Sequence, residues 1–219
     1  MKLYIGNKNY STWSLRPWIM MAKSGISFEE IKLPLDTPQF YDVLRTVNPT
    51  LKVPCLVDND LTVWDSLAIC EYINDAYLSG AAWPENVAEK AKARAIAAEI
   101  HAGFTALRNE MPMNIRATRH VELSEGAQKD VQRIEQIFEQ QMTQYAGRGG
   151  WLFGAWSIAD AMYAPVVMRF MTYQIELTPL AQTYMKQVLS CAQLKAWIDA
   201  ALLETDIVEA DEAGEPQQR

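Results

Sequence analysis

Two serines, Ser11 and Ser14, stand three residues apart in the stretch NYSTWSLRPW, just after the first predicted strand. A serine needs a neighbouring base to act as a nucleophile, and the two histidines, His101 and His120, lie far away in the sequence. A hydroxyl near a helix N-terminus can instead donate a hydrogen bond to a thiolate and lower the pKa of that thiol. We therefore interpret Ser11 as a hydrogen-bond donor and Ser14 as the better candidate for the N-cap of the following helix.

Asp65 and Ser66 begin a segment in which apolar residues recur at helical spacing. Both residue types are good helix caps, which is a sufficient reason for their presence. A helix N-terminus also offers free N–H groups and a partial positive charge that suit a ligand carboxylate, while Asp65 can hold a ligand ammonium. The pair predicts either a plain cap or a site for the zwitterionic end of an α-amino acid, and the two are compatible.

The dipeptide Val53–Pro54 precedes a predicted hairpin strand. Proline cannot donate a hydrogen bond to a sheet, so Pro54 belongs at the start of a strand or at an edge. The backbone N–H and C=O of Val53 can then pair with an extended, peptide-like ligand in the manner of an added strand. The alternative is an ordinary trans proline at a strand end.

The first eighty residues predict a small mixed domain in the order βαβ, connection, ββα. The first two strands, joined through a helix, are expected to be parallel because crossover connections are right-handed. The predicted elements are a strand at Lys2–Gly6, a helix at Ser14–Ser24, a strand at Phe28–Leu33, a hairpin of Cys55–Asp58 and Leu61–Trp64, and a helix from Leu67.

From about Ala88 onward the pattern predicts only helices. The domain boundary is expected near Ser79–Trp83, and the acidic segment 204–219 is expected to form a loose tail because it has few large apolar side chains. The predicted helices are Ala88–Ile115, kinked or ended by Pro112, then Ser124–Tyr145, Ser157–Gln174, Pro179–Ser190 and Ala192–Leu203.

Composition excludes several classes of function. The chain of 219 residues has a formal net charge of −7, which disfavours binding to a nucleic acid. Three widely spaced cysteines without a CxxC pair, and two histidines, argue against disulfides and against a metal site. No apolar stretch approaches the length that spans a membrane, so we expect a cytoplasmic protein with no metal and no membrane partner.

Four pairs of residues together resemble the soluble glutathione transferases: Ser11 with Ser14, Val53 with Pro54, Asp65 with Ser66, and Ser157 with Asp160. The SxxS arrangement and the segment NPTLKVPCLVDNDLTVWDSLAI are most similar to serine-type classes such as zeta and related bacterial members. The resemblance implies an α+β fold, with a thioredoxin-like domain over residues 1–80 and an all-α helical domain over 84–203. It also implies a homodimer.

The resemblance assigns a role in glutathione binding to each matching position. Ser11 would donate to the glutathione thiolate, and Tyr10 is an alternative donor because a phenol can do the same. Ser157 and Asp160 would form a capping box with a structural role. The implied glutathione contacts are the backbone of Val53, the cis-proline Pro54, Asp65 and Ser66 for the γ-glutamyl end, and Lys52 and Lys32 for the glycyl end.

The second substrate, an electrophilic small molecule, is expected between the domains, where clefts tend to form. The residues expected to line that site are Trp13, Met111, Asn114 and Arg116, although ordinary helix packing also explains the last three. Trp13 occupies the position at which the zeta class carries a cysteine, and Ser11 the position at which thiol-transferase classes do. Cys55 and Cys70 are expected to be buried and inert.

The function that these residues predict is transfer of glutathione to an electrophilic carbon. Two alternatives stay open: a glutathione-dependent cis–trans isomerase similar to maleylacetoacetate isomerase, and a non-catalytic interaction protein with the same fold. Ser11, Asp65 and Ser66 together favour an intact glutathione site.

Overall fold

The computed structural model describes residues 1–216 of the chain. Its strands are β1 (Lys2–Ile5), β2 (Glu29–Lys32), β3 (Cys55–Asp58), β4 (Leu61–Trp64), β5 (Arg119–His120) and β6 (Glu215–Pro216). Its α-helices are α1 (Thr12–Lys23), α2 (Pro38–Arg45), α3 (Ser66–Tyr77), α4 (Val87–Ala102), α5 (Thr105–Glu110), α6 (Glu125–Tyr145), α7 (Ile158–Thr172), α8 (Pro179–Leu189) and α9 (Ala192–Leu202).

The main sheet has the strand order β2-β1-β3-β4. β1 pairs in parallel with β2 and antiparallel with β3, and β3 and β4 form an antiparallel hairpin. These pairings confirm the predicted βαβ and ββα units and the α+β class. The sequence reading missed α2, whose start is marked by the N-cap Thr37 and by Pro38 in the first turn.

The first helix begins two residues earlier than predicted. Ser11 is the N-cap of α1, and its backbone oxygen already accepts the helical bond from the Leu15 N–H at 3.2 Å. Ser14 therefore lies inside the helix, where its buried Oγ accepts a hydrogen bond from the Gly6 N–H at 3.1 Å. The prediction that Ser14 caps this helix is wrong, because the hydroxyl joins the helix to the end of β1 instead.

The long helix predicted over 88–115 is divided in two, and the division is not at Pro112. α4 ends at Ala102, and a Cβ on Gly103 would lie 2.8 Å from the Glu99 backbone oxygen. Phe104 follows with a φ of +58°, which breaks the helical path. The short helix α5 then starts in a new direction, which changes the residues that face the site.

A continuous apolar core joins the sheet to the helices. Leu3 of β1, Leu15 of α1, Met162 of α7 and Trp197 of α9 all belong to it. α7 lies at its centre and packs against both α1 and α4. The core is not divided at residues 79–83, so the domain boundary there stays a prediction. Within residues 1–216 no helix has the length and apolar character needed to cross a bilayer.

The tail beyond α9 is docked on the protein over residues 204–216, and the prediction of a loose tail is wrong there. The Glu204 carboxylate accepts hydrogen bonds from the backbone N–H groups of Lys8, at 2.9 Å, and Asn9, at 3.0 Å. The backbone of β6 pairs with β5. The prediction failed because acidic side chains hold this segment through buried polar contacts rather than apolar ones. Residues 217–219 lie outside the described part.

Candidate active site

Two adjoining cavities lie where the N-termini of α1 and α3 approach the segment before β3. The larger has a volume of about 670 Å³ and the smaller about 330 Å³. Both are lined by Trp13, Thr50, Lys52 and Val53, so the two cavities share part of their wall. We call them the larger and the smaller cavity.

Ser11 lies at the wall of the larger cavity, at the N-terminus of α1. Its side chain makes no capping hydrogen bond, and its hydroxyl donates to the Oγ of Ser14 at 2.7 Å. Ser14 in turn accepts from the Gly6 N–H. The Ser11 hydroxyl is therefore oriented by a buried neighbour rather than used to complete the helix.

Tyr10 also lines the larger cavity, but its hydroxyl is engaged elsewhere. It donates to Glu212 Oε1 at 2.5 Å and accepts from Arg116 Nη2 at 2.9 Å. Burial, with the hydrogen bond to Glu212, raises the pKa of Tyr10. A phenol in this state is a weaker candidate than Ser11 for the donor to a thiolate, because it must first leave a carboxylate.

The segment before β3 presents free backbone groups beside Ser11. The Val53–Pro54 peptide bond is cis, as the resemblance implied. Within residues 1–216 the Val53 N–H and C=O make no hydrogen bond. Asn48 Nδ2 donates to the Lys52 backbone oxygen at 2.7 Å and holds this segment in place. Lys52 lines both cavities, as expected for a cation near the end of a ligand.

Asp65 is the N-cap of α3 and lines the smaller cavity together with Ser66. Its Oδ1 accepts from the Leu67 N–H at 2.9 Å and from the Ala68 N–H at 3.1 Å. The carboxylate side chain is 43% exposed. The capping and binding interpretations therefore both hold geometrically, because one oxygen caps the helix and the group still reaches the cavity.

His101, on α4, is a neighbour of this site that the sequence analysis did not find. Its Nε2 lies 3.0 Å from Asp65 Oδ2, and its ring meets Trp13 edge-on with a centroid distance of 5.5 Å. Burial lowers the pKa of His101, so the imidazole is neutral near pH 7 and donates its Nε2–H to Asp65. No sequence spacing signals this contact, because α3 and α4 meet only in the folded chain.

Trp13 stands between two guanidinium groups. Arg16 lies 4.3 Å from the ring centroid and Arg108 lies 4.7 Å from it. Arg16 is buried, and within residues 1–216 its Nε and Nη1 have no hydrogen-bond partner. Burial lowers the pKa of Arg16 to about 9. These contacts hold the indole that both cavities share, and the role of Trp13 toward an electrophile stays a prediction.

The other residues expected at the electrophile site lie elsewhere. Met111 is fully buried, Asn114 bonds to Asn9 and Glu212, and Arg116 donates to the backbone oxygen of Asp206 at 2.6 Å. The helix breaks at Gly103, and a different set of residues from the following stretch faces the larger cavity. Those residues are Arg108, Asn109, Pro112 and Met113, joined by Arg169 of α7 and Asp211 of the tail.

Lys32 is not brought to either cavity. Its Nζ lies 3.0 Å from Glu204 Oε1, in an ion pair that helps to anchor the tail. Of the two lysines assigned to the glycyl end, the structure places only Lys52 at the cavities.

Asp160 and the cysteines have the structural surroundings that we expected. The Asp160 carboxylate is fully buried and accepts hydrogen bonds from the N–H groups of Leu152 and Ser157. Cys55 and Cys70 are buried, and burial raises the pKa of the Cys55 thiol to about 11. In the part of the chain that the structure describes, no group of three or more His, Cys, Asp or Glu side chains is placed to hold a metal ion.

Comparison with solved structures defines the class of fold. A glutathione transferase homologue from Burkholderia gl BGR1 with bound glutathione superposes with a TM-score of 0.71 at 21% identity, over 91% of this chain and 97% of that one. The holo structure of a maleyl pyruvate isomerase, described as a bacterial zeta-class glutathione S-transferase, gives 0.72 at 21% identity, over 94% and 100%. The chain has the glutathione transferase fold.

Sequence comparison adds the family. Residues 10–76 match the family model "Glutathione S-transferase, N-terminal domain". The chain is 26% identical to maleylacetoacetate isomerase of Rattus norvegicus over 181 residues, 81% of each protein. It is 30% identical to a probable maleylacetoacetate isomerase of Caenorhabditis elegans over 104 residues, and spans about half (49%) of that relative. Residues 10–76 therefore carry a glutathione S-transferase N-terminal domain, and the chain is similar to maleylacetoacetate isomerases over most of its length.

Proposed function

We propose that this protein is a glutathione transferase in which Ser11 stabilises the thiolate of bound glutathione for attack on an electrophilic carbon. The observation that carries the proposal is that Ser11 and Asp65 line two adjoining cavities and that Val53 lines both. A hydroxyl, free backbone groups and a helix N-terminus with a carboxylate are what a thiol-bearing, zwitterionic peptide needs.

Each part of the tripeptide has a matching group. The cysteinyl backbone pairs with the N–H and C=O of Val53, which are free of partners within residues 1–216. The γ-glutamyl carboxylate binds at the N-terminus of α3 beside Ser66, and its ammonium binds Asp65. Ser66 Oγ supports this role, because it is buried without a hydrogen-bond partner in the described residues and lines the smaller cavity. Lys52 receives the glycyl carboxylate.

Ser11 acts on the sulfur by donating its hydroxyl proton in a hydrogen bond, which favours the thiolate over the thiol. The thiolate then forms a carbon–sulfur bond with an electrophile in the larger cavity, and the leaving group departs with the electron pair of the broken bond. Trp13 and Met113 supply apolar contact there, and Arg108 and Arg169 supply positive charge.

An isomerase that uses the same thiolate is the second candidate. Two observations favour it: the relatives carry the name maleylacetoacetate isomerase, and two arginines face the larger cavity, where they can bind a substrate carboxylate. In that reaction the thiolate adds to a double bond, the carbon–carbon bond rotates, and the thiolate leaves again. Glutathione is then regenerated rather than consumed.

We further propose that the protein is a cytoplasmic homodimer. Leu61 and Trp64 on β4 and Tyr77 on α3 are large side chains that are 43% to 46% exposed. They lie on the edge strand of the sheet and on the helix next to it, and this exposed apolar area suits an isologous contact. The three cysteines are free thiols, as is usual in a reducing compartment.

Calorimetry with reduced glutathione, followed by a conjugation assay with a chloro-dinitrobenzene, tests the proposal. We expect micromolar to millimolar affinity and release of chloride with formation of the thioether. Ser11→Ala is expected to bind glutathione and to lose turnover. Glutathione that binds without any turnover on a panel of electrophiles and cis double-bond substrates would favour the non-catalytic alternative. Absence of glutathione binding to the folded protein would refute the proposal.

A further inference from the structure

The larger cavity contains charges of both signs. Lys52, Arg108 and Arg169 line it, and so do two carboxylates, Asp36 and Asp211. Asp211 comes from the docked tail, more than forty residues after Arg169 in the chain. The two side chains are close enough for the positive charge of Arg169 to oppose the rise in the Asp211 pKa.

The tail is anchored on both sides of Asp211, which fixes that carboxylate in the cavity wall. Before it, Asn7 Nδ2 donates to the Asp206 carboxylate at 2.8 Å. After it, Glu212 accepts from Tyr10 at 2.5 Å and from Asn114 Nδ2 at 2.9 Å. Gly214 then passes close to β5 with a φ of +81°, where a Cβ would lie 2.4 Å from the His120 backbone oxygen.

We propose that Asp211 determines the charge preference of the electrophile cavity: by balancing the positive charge of Arg169, it favours neutral electrophiles over those that carry a carboxylate. The inference rests on the proposed function, because it concerns the second substrate of the same site. It also separates the two candidate reactions, since a maleyl-type substrate is an anion and a simple aryl halide is not.

The physical basis is charge balance in a partly enclosed space. A carboxylate on the electrophile gains the attraction of Arg108 and Arg169 but meets the repulsion of Asp211 in the same partly enclosed cavity, where solvent screening is reduced. Removing the Asp211 charge reduces the negative charge that opposes the two guanidinium groups and leaves Asp36 in place. The preference then moves toward anionic electrophiles.

The charge balance between Asp211 and Arg169 also depends on pH. Burial raises the pKa of Asp211 to about 6, with Arg169 opposing the rise and Asp36 and Glu212 adding to it. Tyr173 of α7 also faces this carboxylate. Asp211 is therefore ionised near neutral pH and becomes neutral as the pH falls through about 6. Protonation of Asp211 is therefore expected to shift the preference toward anionic electrophiles, as removal of its carboxylate does.

A matched pair of electrophiles tests the proposal: a chloro-dinitrobenzoate and its methyl ester, which share the reacting carbon and differ in charge. The quantity measured is the ratio of kcat/KM for the carboxylate to that for the ester. For Asp211→Asn we expect this ratio to rise about tenfold at neutral pH, because the repulsion between Asp211 and the substrate carboxylate is lost. In the wild type the ratio is expected to rise as the pH falls through about 6, and in Asp211→Asn to stay flat. The charge of the thiolate cancels in the ratio.

Glu209→Gln is the control, because Glu209 is an exposed carboxylate of the same tail that does not line the cavity. It is expected to leave the ratio unchanged. Calorimetry with S-benzylglutathione and S-(carboxybenzyl)glutathione gives the same comparison without turnover. If glutathione binds and Asp211→Asn changes neither ratio, the inference is wrong and the proposed function stands. If glutathione itself does not bind, both are wrong.

Discussion

The N-termini of α3 and α7 each carry a serine and an aspartate, and the N-terminus of α1 carries two serines, but the three lie in different surroundings. Asp160, at the start of α7, is fully buried, and it accepts hydrogen bonds from Leu152, Ser157 and Tyr184. Asp65, at the start of α3, is 43% exposed and faces a cavity. Ser11 makes no side-chain capping bond. The same cap chemistry is structural where the carboxylate is fully buried, and it can meet a ligand where the carboxylate is exposed to a cavity.

The largest expected effect is on stability, at the buried N-terminus. Asp160→Ala leaves the Leu152 N–H, the Ser157 N–H and the Tyr184 hydroxyl without their acceptor, which is expected to lower the free energy of unfolding by about 3 kcal/mol or more. Urea denaturation measures this. Turnover per folded molecule is expected to stay near the wild-type value, and a stable variant with no activity would contradict the structural role.

The second-largest expected effect is on glutathione binding, at the N-terminus of α3, which faces the smaller cavity. Asp65→Ala is expected to weaken glutathione binding by about tenfold to a hundredfold, because a charged hydrogen-bond partner of the ammonium is lost. Asp65→Asn is the matched variant, since asparagine caps a helix as well as aspartate but carries no charge. If calorimetry finds normal affinity in both variants, Asp65 only caps α3.

Ser11→Ala is expected to act on the thiol rather than on binding. The pKa of the bound glutathione thiol should rise by about one unit toward the free value, which corresponds to about 1.4 kcal/mol of lost stabilisation. Thiolate absorbance against pH measures it. Tyr10→Phe is the control, because the phenol already donates to Glu212. A shift in Tyr10→Phe alone would make the phenol the donor.

The smallest effect is expected at Ser14. Like Ser11, it lies near the end of β1, but it does not line either cavity. Ser14→Ala removes the acceptor of the buried Gly6 N–H and should lower the free energy of unfolding by about 1 kcal/mol. The thiol pKa should move less than in Ser11→Ala. An equal shift in the two variants would mean that the pair of hydroxyls acts as one unit.

Much of this arrangement was readable from the sequence because its signals are local. The hairpin of β3 and β4 was predicted to the residue, and the cap residues of α3 and α7 marked their helices. The errors arose where contacts between residues distant in the chain determine the position of a side chain. Ser14 is a good cap residue by type, but the end of β1 uses its hydroxyl. Met111, Asn114 and Arg116 were expected at the electrophile site, but the break after α4 turned Arg108 and Met113 to the cavity instead.

The sequence by itself determined the order of the elements, the resemblance to the glutathione transferases, and the residues that begin the cavity-facing helices, because propensity, periodicity and capping depend on neighbours in the chain. Only the tertiary structure decided which groups those residues meet. His101 reaches Asp65 across two helices, and Asp211 reaches the larger cavity because Glu204 is held by the backbone of Lys8 and Asn9. From the sequence alone the acidic tail is predicted to be loose, because the residues that bind it lie nearly two hundred positions away in the chain.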